Sequence, residues 1–349
     1  MSGKWKIFAI LLSLYLPQCG GAQAETDNQD GSRLSDPVVH GNLAIYFVHG
    51  KSRGGPVPLT LQEALGKKVI TVRETGQVNE LQVENTGDDE IFIQSGDIVK
   101  GGQQDRVLSV SMVLPPHSGA RPIDSFCVES GRWSTRAGED ARIFSSASAA
   151  LPSRKAKLEM AGAVAPRPDG ATAAIGSSQQ EIWKSVAQIQ GKLSSNLRAS
   201  VAAPRSQTSL QLTLENDHLA KEQAEYIATL QSKGEQSDDI VGYVFAVNGK
   251  INSADIYPSN GLFRKMWPKL LRASVTEAIG ERDAADAPPP PTAAVSGFIS
   301  SANSGPAVEA KAGEQASIRM RDSSKAIVME ARPAAAPATS WVHRNYLAK

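Results

Sequence analysis

Residues Gly96–Trp133 read GDIVKGGQQDRVLSVSMVLPPHSGARPIDSFCVESGRW, and their spacing decides the fold class. From Arg106 to Leu114 the residues alternate: Val107, Ser109, Ser111 and Val113 oppose Leu108, Val110, Met112 and Leu114. A period of two puts successive side chains on opposite faces of a strand, so the Leu/Val/Met face is core. Pro115–Gly119 breaks the run, and Ile123–Glu129 resumes an extended one. The same signal recurs toward the N-terminus. Asn79–Asn85 alternates with Leu81 and Val83 on one face, Thr86–Asp89 is turn chemistry, and Ile91 and Ile93 share a face in the next run. Leu43–Gly50 and Val69–Glu74 are further strand-like runs, with Thr60 placed to cap a short helix between them. Several short strands at close spacing predict an antiparallel, β-rich N-terminal half, sandwich or barrel-like.

Beyond Trp133 the period changes. Residues 145–178 are rich in Ala, Ser and Pro and are expected to form a long mobile loop. Ser178–Glu181 is a capping-box pattern ahead of a helix with Ile182, Val186, Ile189 and Leu193 on one face. A second helix is expected over Asn216–Gly234. In Ile240–Tyr257, two β-branched and aromatic runs flank Asn248-Gly249, a favoured two-residue hairpin turn. Gly261–Gly280 carries an apolar stripe through Phe263, Met266, Trp267, Leu270 and Leu271, and Pro268 predicts a kink or a helix start inside it. The fold class expected is α+β, with the C-terminal helices and the hairpin packed on the β-rich half. Residues 40–282 are expected to form a single domain, followed by a low-complexity linker over 283–314 and a C-terminal tail over 315–349. Trp341, His343 and Tyr346 make that tail too aromatic to stay solvated, so it is expected to dock.

The first residues indicate export. Lys4 and Lys6 precede the apolar run Ile7–Leu16, Pro17 ends it, and Ala22-Gln23-Ala24 is a small-x-small cleavage pattern. The run is shorter than the roughly 20 apolar residues of a transmembrane helix. A signal peptide cleaved after Ala24 is expected, with residues 25–39 a disordered leader and the protein periplasmic or extracellular. A lipoprotein signal ending at Cys19 is the rival reading, disfavoured by Gln18 just before it. Cleavage removes two lysines and no acids, leaving 35 basic against 36 acidic residues. A near-neutral chain gives no electrostatic argument for nucleic acid as a partner. Cleavage also leaves Cys127 as the single free cysteine, so the fold rests on a core and not on a disulfide.

Chemistry concentrates at two turns. The five histidines are scattered, with no H-x-H or H-E-x-x-H pair, so no metal site and no cofactor is expected. Gly101 and Gly102 suit a tight turn, and Gln103, Asp105 and Arg106 cluster polar groups on it. Arg106 can hold a carboxylate or phosphate, or pair with Asp97 or Asp105. Cys127 reads as a small buried thiol before it reads as a nucleophile. His117 is near enough in sequence to fold back on it as a base. Glu129, Arg132 and Trp133 lie where a strand gives way to a turn at Gly131. Glu129 and Arg132 form an ion pair, or else Arg132 reads an anion while Trp133 stacks on a ring.

Gly96-Asp97, the Gly-x-x-Gln-x-Arg-Val pattern of Gly101–Val107 and the Cys-Val-Glu-x-Gly-Arg-Trp of Cys127–Trp133 resemble the signature of the ARG and rhodanese-phosphatase-superfamily-associated protein domain. Val241–Ile279 is similar to that family's C-terminal half, in which a hairpin leads to an Asp-x7-Phe-x3-Trp-x2-Leu-Leu helix; here these are Asp255, Phe263, Trp267, Leu270 and Leu271. The resemblance spans about residues 40–282. It implies an association with ADP-ribosylglycohydrolase and phosphatase-like proteins, hence with NAD or ADP-ribose-related metabolism, but carries no assigned reaction.

Two functions follow as expectations. The first is an exported binding or interaction module. Its polar pocket, made by Gln103, Arg106, Glu129, Arg132 and Trp133, would take a small anionic or sugar-nucleotide-like ligand, or the module would meet a protein partner. The alternative is a hydrolase acting on an NAD or ADP-ribose-related substrate. There Glu129 would be acid or base, Arg106 and Arg132 would hold the anion, and His117 or Cys127 would assist. A third, purely structural reading pairs these residues among themselves beneath the surface.

Overall fold

The computed structural model describes residues 31–136, 139, 143–165, 175–283, 287–312, 316–334 and 340–349. The expected signal peptide, with its cleavage point and Cys19, lies outside the described residues. The N-terminal elements are β1 (Arg33–Leu34), β2 (Val38–His40), β3 (Leu43–His49), β4 (Leu59–Thr60), α1 (Leu61–Lys67), β5 (Ile70–Glu74) and β6 (Glu80–Asn85). There follow β7 (Ile91–Ile93), β8 (Ile98–Gly101), β9 (Arg106–Leu108), β10 (Met112–Leu114), β11 (Gly119–Cys127) and β12 (Phe144–Ser146). The helical stretch comprises α2 (Arg154–Val164), α3 (Ile175–Leu197), α4 (Leu210–Leu214) and α5 (Asp217–Leu230). The chain closes with β13 (Ile240–Val247), β14 (Lys250–Ile256), α6 (Asn260–Gly280), α7 (Thr292–Asn303), β15 (Ala307–Ala312), β16 (Ala316–Asp322), β17 (Ala326–Pro333) and β18 (His343–Ala348). The fold is α+β, and no helix among the described residues is long and apolar enough to cross a membrane.

A nine-stranded antiparallel sheet in the order β1-β3-β13-β14-β18-β17-β16-β15 forms the frame, with β2 also paired to β3. Its centre is the Asn248-Gly249 hairpin, where both turn residues hold positive φ, 49° and 70°. That is what a two-residue turn matched to strand twist requires. One face buries Phe245, Tyr243 and Leu43 under Trp267, Leu270 and Leu271 of α6. The other buries Tyr46, Val244 and Tyr346 under Val295, Phe298 and Ile299 of α7. Helix α6 begins at the Ser259 cap, whose hydroxyl accepts from the Leu262 N–H, and it runs through Pro268 instead of starting there.

The expected N-terminal β-rich half is a six-stranded sheet, β12-β8-β9-β11-β6-β5, whose edge strands β5 and β12 approach each other so that it is nearly closed like a barrel. Leu81, Val83, Leu108 and Ile123 fill its interior together with Met112 and Leu114. The alternating run Arg106–Leu114 is not one strand: it breaks at Ser109–Ser111, so Met112 and Leu114 lie on β10 in a separate sheet, and Val107 on the opposite face is buried as well. The small sheet β10-β7-β4 lies beside it, and Thr60 and Glu63 close α1 with a reciprocal capping box.

Four boundaries differ from the sequence reading. Within the leader, β1 and β2 already pair with β3. The stretch 145–178 holds α2 and the start of α3, because the small Ala156, Ala161 and Ala163 pack closely beside the larger Met160 and are not loop filler. Residues 166–174 of it lie outside the described residues. The linker 283–314 contains α7 and β15, since Val295, Phe298, Ile299 and Ala302 recur at helical spacing behind the proline run. The tail does not dock as an appendage: β18 runs between β14 and β17 at the middle of the main sheet.

Candidate functional site

Strand register brings the two turns together. β11 runs antiparallel to β9 with Cys127 opposite Arg106, so the turn before Arg106 and the turn after Cys127 share one end of the sheet. Gly101 and Gly102 are needed there. A Cβ on Gly101 would lie 2.4 Å from the Ile143 carbonyl oxygen, and one on Gly102 2.3 Å from the Phe144 ring. Both also hold positive φ.

Asp105 is the hub, fully buried. Its carboxylate accepts from Arg136 Nη2 at 2.7 Å and Nη1 at 2.8 Å, from Ser209 Oγ at 2.8 Å and from the Gly101 N–H at 3.1 Å. Glu129, equally buried, accepts from Arg132 Nη2 at 2.6 Å and from the Ser206 hydroxyl, with Arg136 Nη1 3.6 Å away. Burial alone would raise the Glu129 pKa; the hydrogen bonds from Arg132 and Ser206, with the charges of Arg132 and Arg136, outweigh it and hold the carboxyl below its ordinary value. Arg106 sits under Trp133, its guanidinium 5.5 Å from the ring centroid, and pairs with Glu74 at 3.3 Å. The Gln103 N–H donates to Glu74 Oε1 at 3.0 Å.

The five expected ligand-binding residues, Gln103, Arg106, Glu129, Arg132 and Trp133, therefore meet, but mainly by pairing among themselves and with Asp105, Arg136 and Glu74. Only Trp133, 48 % exposed, presents a large surface to solvent. Glu129 is committed to Arg132 and Ser206 as an ionised carboxylate, which leaves no proton for an acid's role. Cys127 is buried and its thiol is pushed up to about 11, first by burial and then by the carboxylates of Glu74 and Glu129 against the opposing charge of Arg106. It is no nucleophile at neutral pH. Its backbone N–H and carbonyl are held by the Gln179 side-chain amide, each at 2.8 Å. His117 stands beyond the opposite end of the nine-residue β11, roughly 26 Å of strand away at ~3.3 Å per residue, where its ring meets the exposed Asp88 at 2.9 Å. The Cys–His pair does not form.

A cavity of about 580 Å³ opens elsewhere, between the start of α2, the middle of α3, the β13–β14 hairpin and the end of α6. Three buried polar atoms on its lining residues lack a partner among the described residues: Ser185 Oγ, Asn252 Oδ1 and Glu277 Oε2, on residues 1, 6 and 5 % exposed. Buried polar groups are nearly always satisfied, so three orphans at one cavity mark a place for water or ligand. Glu277 Oε1 accepts from the Arg154 N–H at 2.9 Å. Burial raises the Glu277 pKa, only partly offset by the charge of Lys157, the Arg154 N–H, the neighbouring Asn252 side chain and the charge of Arg154, so the Asn252 amide and the Glu277 carboxylate lie against each other. Arg154, Lys155, Lys192 and Lys250 line the cavity as cations. Lys192 is paired with Glu281 at 2.6 Å, whereas Lys250, at the hairpin, makes no ion pair among the described residues. Among the described residues, no group of three or more His, Cys, Asp or Glu is placed to hold a metal. Sequence reasoning missed the cavity because its walls come from four elements, one of them the α2 hidden in the Ala-rich stretch.

These features define an α+β protein with two polar centres: one closed largely by its own ion pairs, where Gln103 Oε1, Arg106 Nε and Arg132 Nε still lack a partner among the described residues, and one that opens to a cavity. The model of the ARG and Rhodanese-Phosphatase-superfamily-associated Protein domain matches residues 31–347, and the chain belongs to that family. The match runs past 40–282 at both ends, over β1 and through β18. No curated protein and no solved structure is detectably similar to the chain.

Proposed function

We propose that this protein is a binding module for a small anionic, hydroxyl-bearing ligand of the sugar-nucleotide kind, and that the ligand occupies the 580 Å³ cavity and not the Glu129–Trp133 turn. The observation carrying this is an open 580 Å³ space onto which unsatisfied buried polar atoms and the cations Arg154, Lys155, Lys192 and Lys250 converge, with the acids Glu281 and Asp283 on the same rim and Lys192 neutralised by Glu281. The volume lies within the roughly 300–1,000 Å³ of small-molecule sites. Lys250 and Arg154 would face the anionic part. Ser185 and Asn252 would take hydroxyl groups, and Glu277, whose burial favours the neutral carboxyl, would meet another. The Asp105–Arg136–Glu129–Arg132 network is then framework. Export by the N-terminal segment remains part of the proposal, and the mass of the mature N-terminus in fractionated cells tests it.

The ligand test is thermal unfolding against nucleotides, ADP-ribose, sugar phosphates and small carboxylic acids. A ligand at 100-fold its dissociation constant stabilises by about 2.7 kcal/mol. The stabilisation should vanish in Ser185→Val and Lys250→Glu and survive in Trp133→Ala. The reverse pattern would return the site to the Glu129–Trp133 turn.

A further inference from the structure

On the far side of β14 from α7 lies a second polar array that no part of the binding proposal uses. Ser111 Oγ is 3.0 Å from His343 Nδ1, and His343 Nε2 is 3.0 Å from Asp255 Oδ1, all three residues buried. The Ser95 N–H donates to Ser111 Oγ at 2.9 Å, and Asn345 Nδ2 donates to Asp255 Oδ1 at 2.9 Å. The ring of His343 stacks on Tyr257 at 5.0 Å with Phe92 edge-on at 6.1 Å, which fixes its plane. Although burial opposes it, the hydrogen bonds from His343 and Asn345 hold the Asp255 carboxyl below its ordinary value. A carboxylate only accepts, so Nε2 carries the ring proton and Nδ1 is left to accept from Ser111.

We propose that Ser111, His343 and Asp255 form a nucleophile, base and orienting group for hydrolysis of a small ester with an apolar acyl chain. Such arrays are recognised by geometry and not by chain order. Two adjacent spaces with lining residues in common support the substrate class. A chamber of about 10 Å³ touches Ser111 and His343, roughly the size of one water. It shares Ser109, Val110 and Ile318 with a mostly apolar crevice of about 90 Å³ that reaches Phe126 and Val164. Ser125, 1 % exposed, lines the crevice with its Oγ unpartnered among the described residues. In the reaction, Ser111 Oγ bonds to the ester carbonyl carbon as its proton passes to His343 Nδ1. The carbon–oxygen bond to the alcohol breaks, and the alcohol leaves with that proton. Water then adds to the acyl-Ser111 carbon, gives a proton to Nδ1, and releases the carboxylic acid as Ser111 recovers the proton.

The test uses the wild-type chain, so it does not depend on a variant folding. The protein is incubated with a small dialkyl fluorophosphate and with p-nitrophenyl acetate, and its intact mass and peptides are measured. One phosphoryl adduct on Ser111, with turnover of the ester, is expected. His343→Gln should lower the acylation rate by about 10²–10⁴-fold. Asp255→Asn, a change at a positioning residue, should lower kcat with KM unchanged. Ser111 left unmodified in the folded protein, while a known serine hydrolase in the same tube is fully labelled, overturns the proposal, as does labelling of other serines only.

Discussion

Arg136 ties the two turns to one buried acid, and Arg136→Met isolates its contribution. The substitution removes both bonds to Asp105, at 2.7 and 2.8 Å, and the contact to Glu129 at 3.6 Å, while keeping most of the apolar stem. Asp105 then keeps Ser209 Oγ, the Gly101 N–H and the distant Arg132 Nη2, 3.9 Å away, for a full buried charge. Removing one partner of a buried ion pair costs about 3–5 kcal/mol. At roughly 2–4 °C per kcal/mol for large domains, that lowers Tm by roughly 6–20 °C. Equilibrium urea unfolding of wild type, Arg136→Met, Asp105→Asn and the double variant gives the coupling directly, and the double should fall short of the sum of the singles by about 1 kcal/mol or more. A loss below about 1 kcal/mol for Arg136→Met, or strict additivity, would refute the view that this network holds the turns together.

Three further outcomes follow from the same physics. Glu129, whose folded pKa is lowered, contributes stability that is present above the ordinary glutamate value of about 4.3 and lost as pH falls through the folded one. Glu129→Gln should therefore flatten the acid limb of stability measured by urea midpoints from about pH 3 upward. Glu277 has the opposite sign: its pKa is raised, so the native state binds more protons between the ordinary and the folded values and stability falls as pH rises through that window, a fall that Glu277→Gln should abolish. Cys127 should resist a disulfide reagent in native buffer at pH 8 and react in step with urea unfolding, since its thiol is buried and pushed up to about 11; rapid stoichiometric labelling of the folded protein would contradict this.

Much of the fold was legible wherever one local signal sufficed. Alternation over Arg106–Leu114 and Ile123–Glu129 became β9, β10 and β11, and Asn248-Gly249 became the central hairpin. Elements whose packing uses unusual residues were not. Helix α2 packs through alanines that look like filler, and α7 follows a run of prolines. Strand β18 carries His343 and Asn345 inward, because Asp255 waits for them across the sheet, so its pattern looks polar although it is central. The two turns stand out as motifs in the sequence, but that they meet comes only from the β9–β11 register. Their hub is not legible: Asp105 reads as one of several polar turn residues, and Arg136, three residues beyond Trp133, carries no signal. The open cavity is a purely tertiary product, built from α2, α3, α6 and the hairpin.

Hydrogen exchange with and without the best ligand from the thermal panel, read by mass spectrometry, tests the central claim most directly. Binding in the cavity predicts slowed exchange in peptides covering residues 153–158, 185–192, 247–252 and 277–283, with 101–106 and 129–136 unchanged. Protection confined to 101–106 and 129–136 would contradict it.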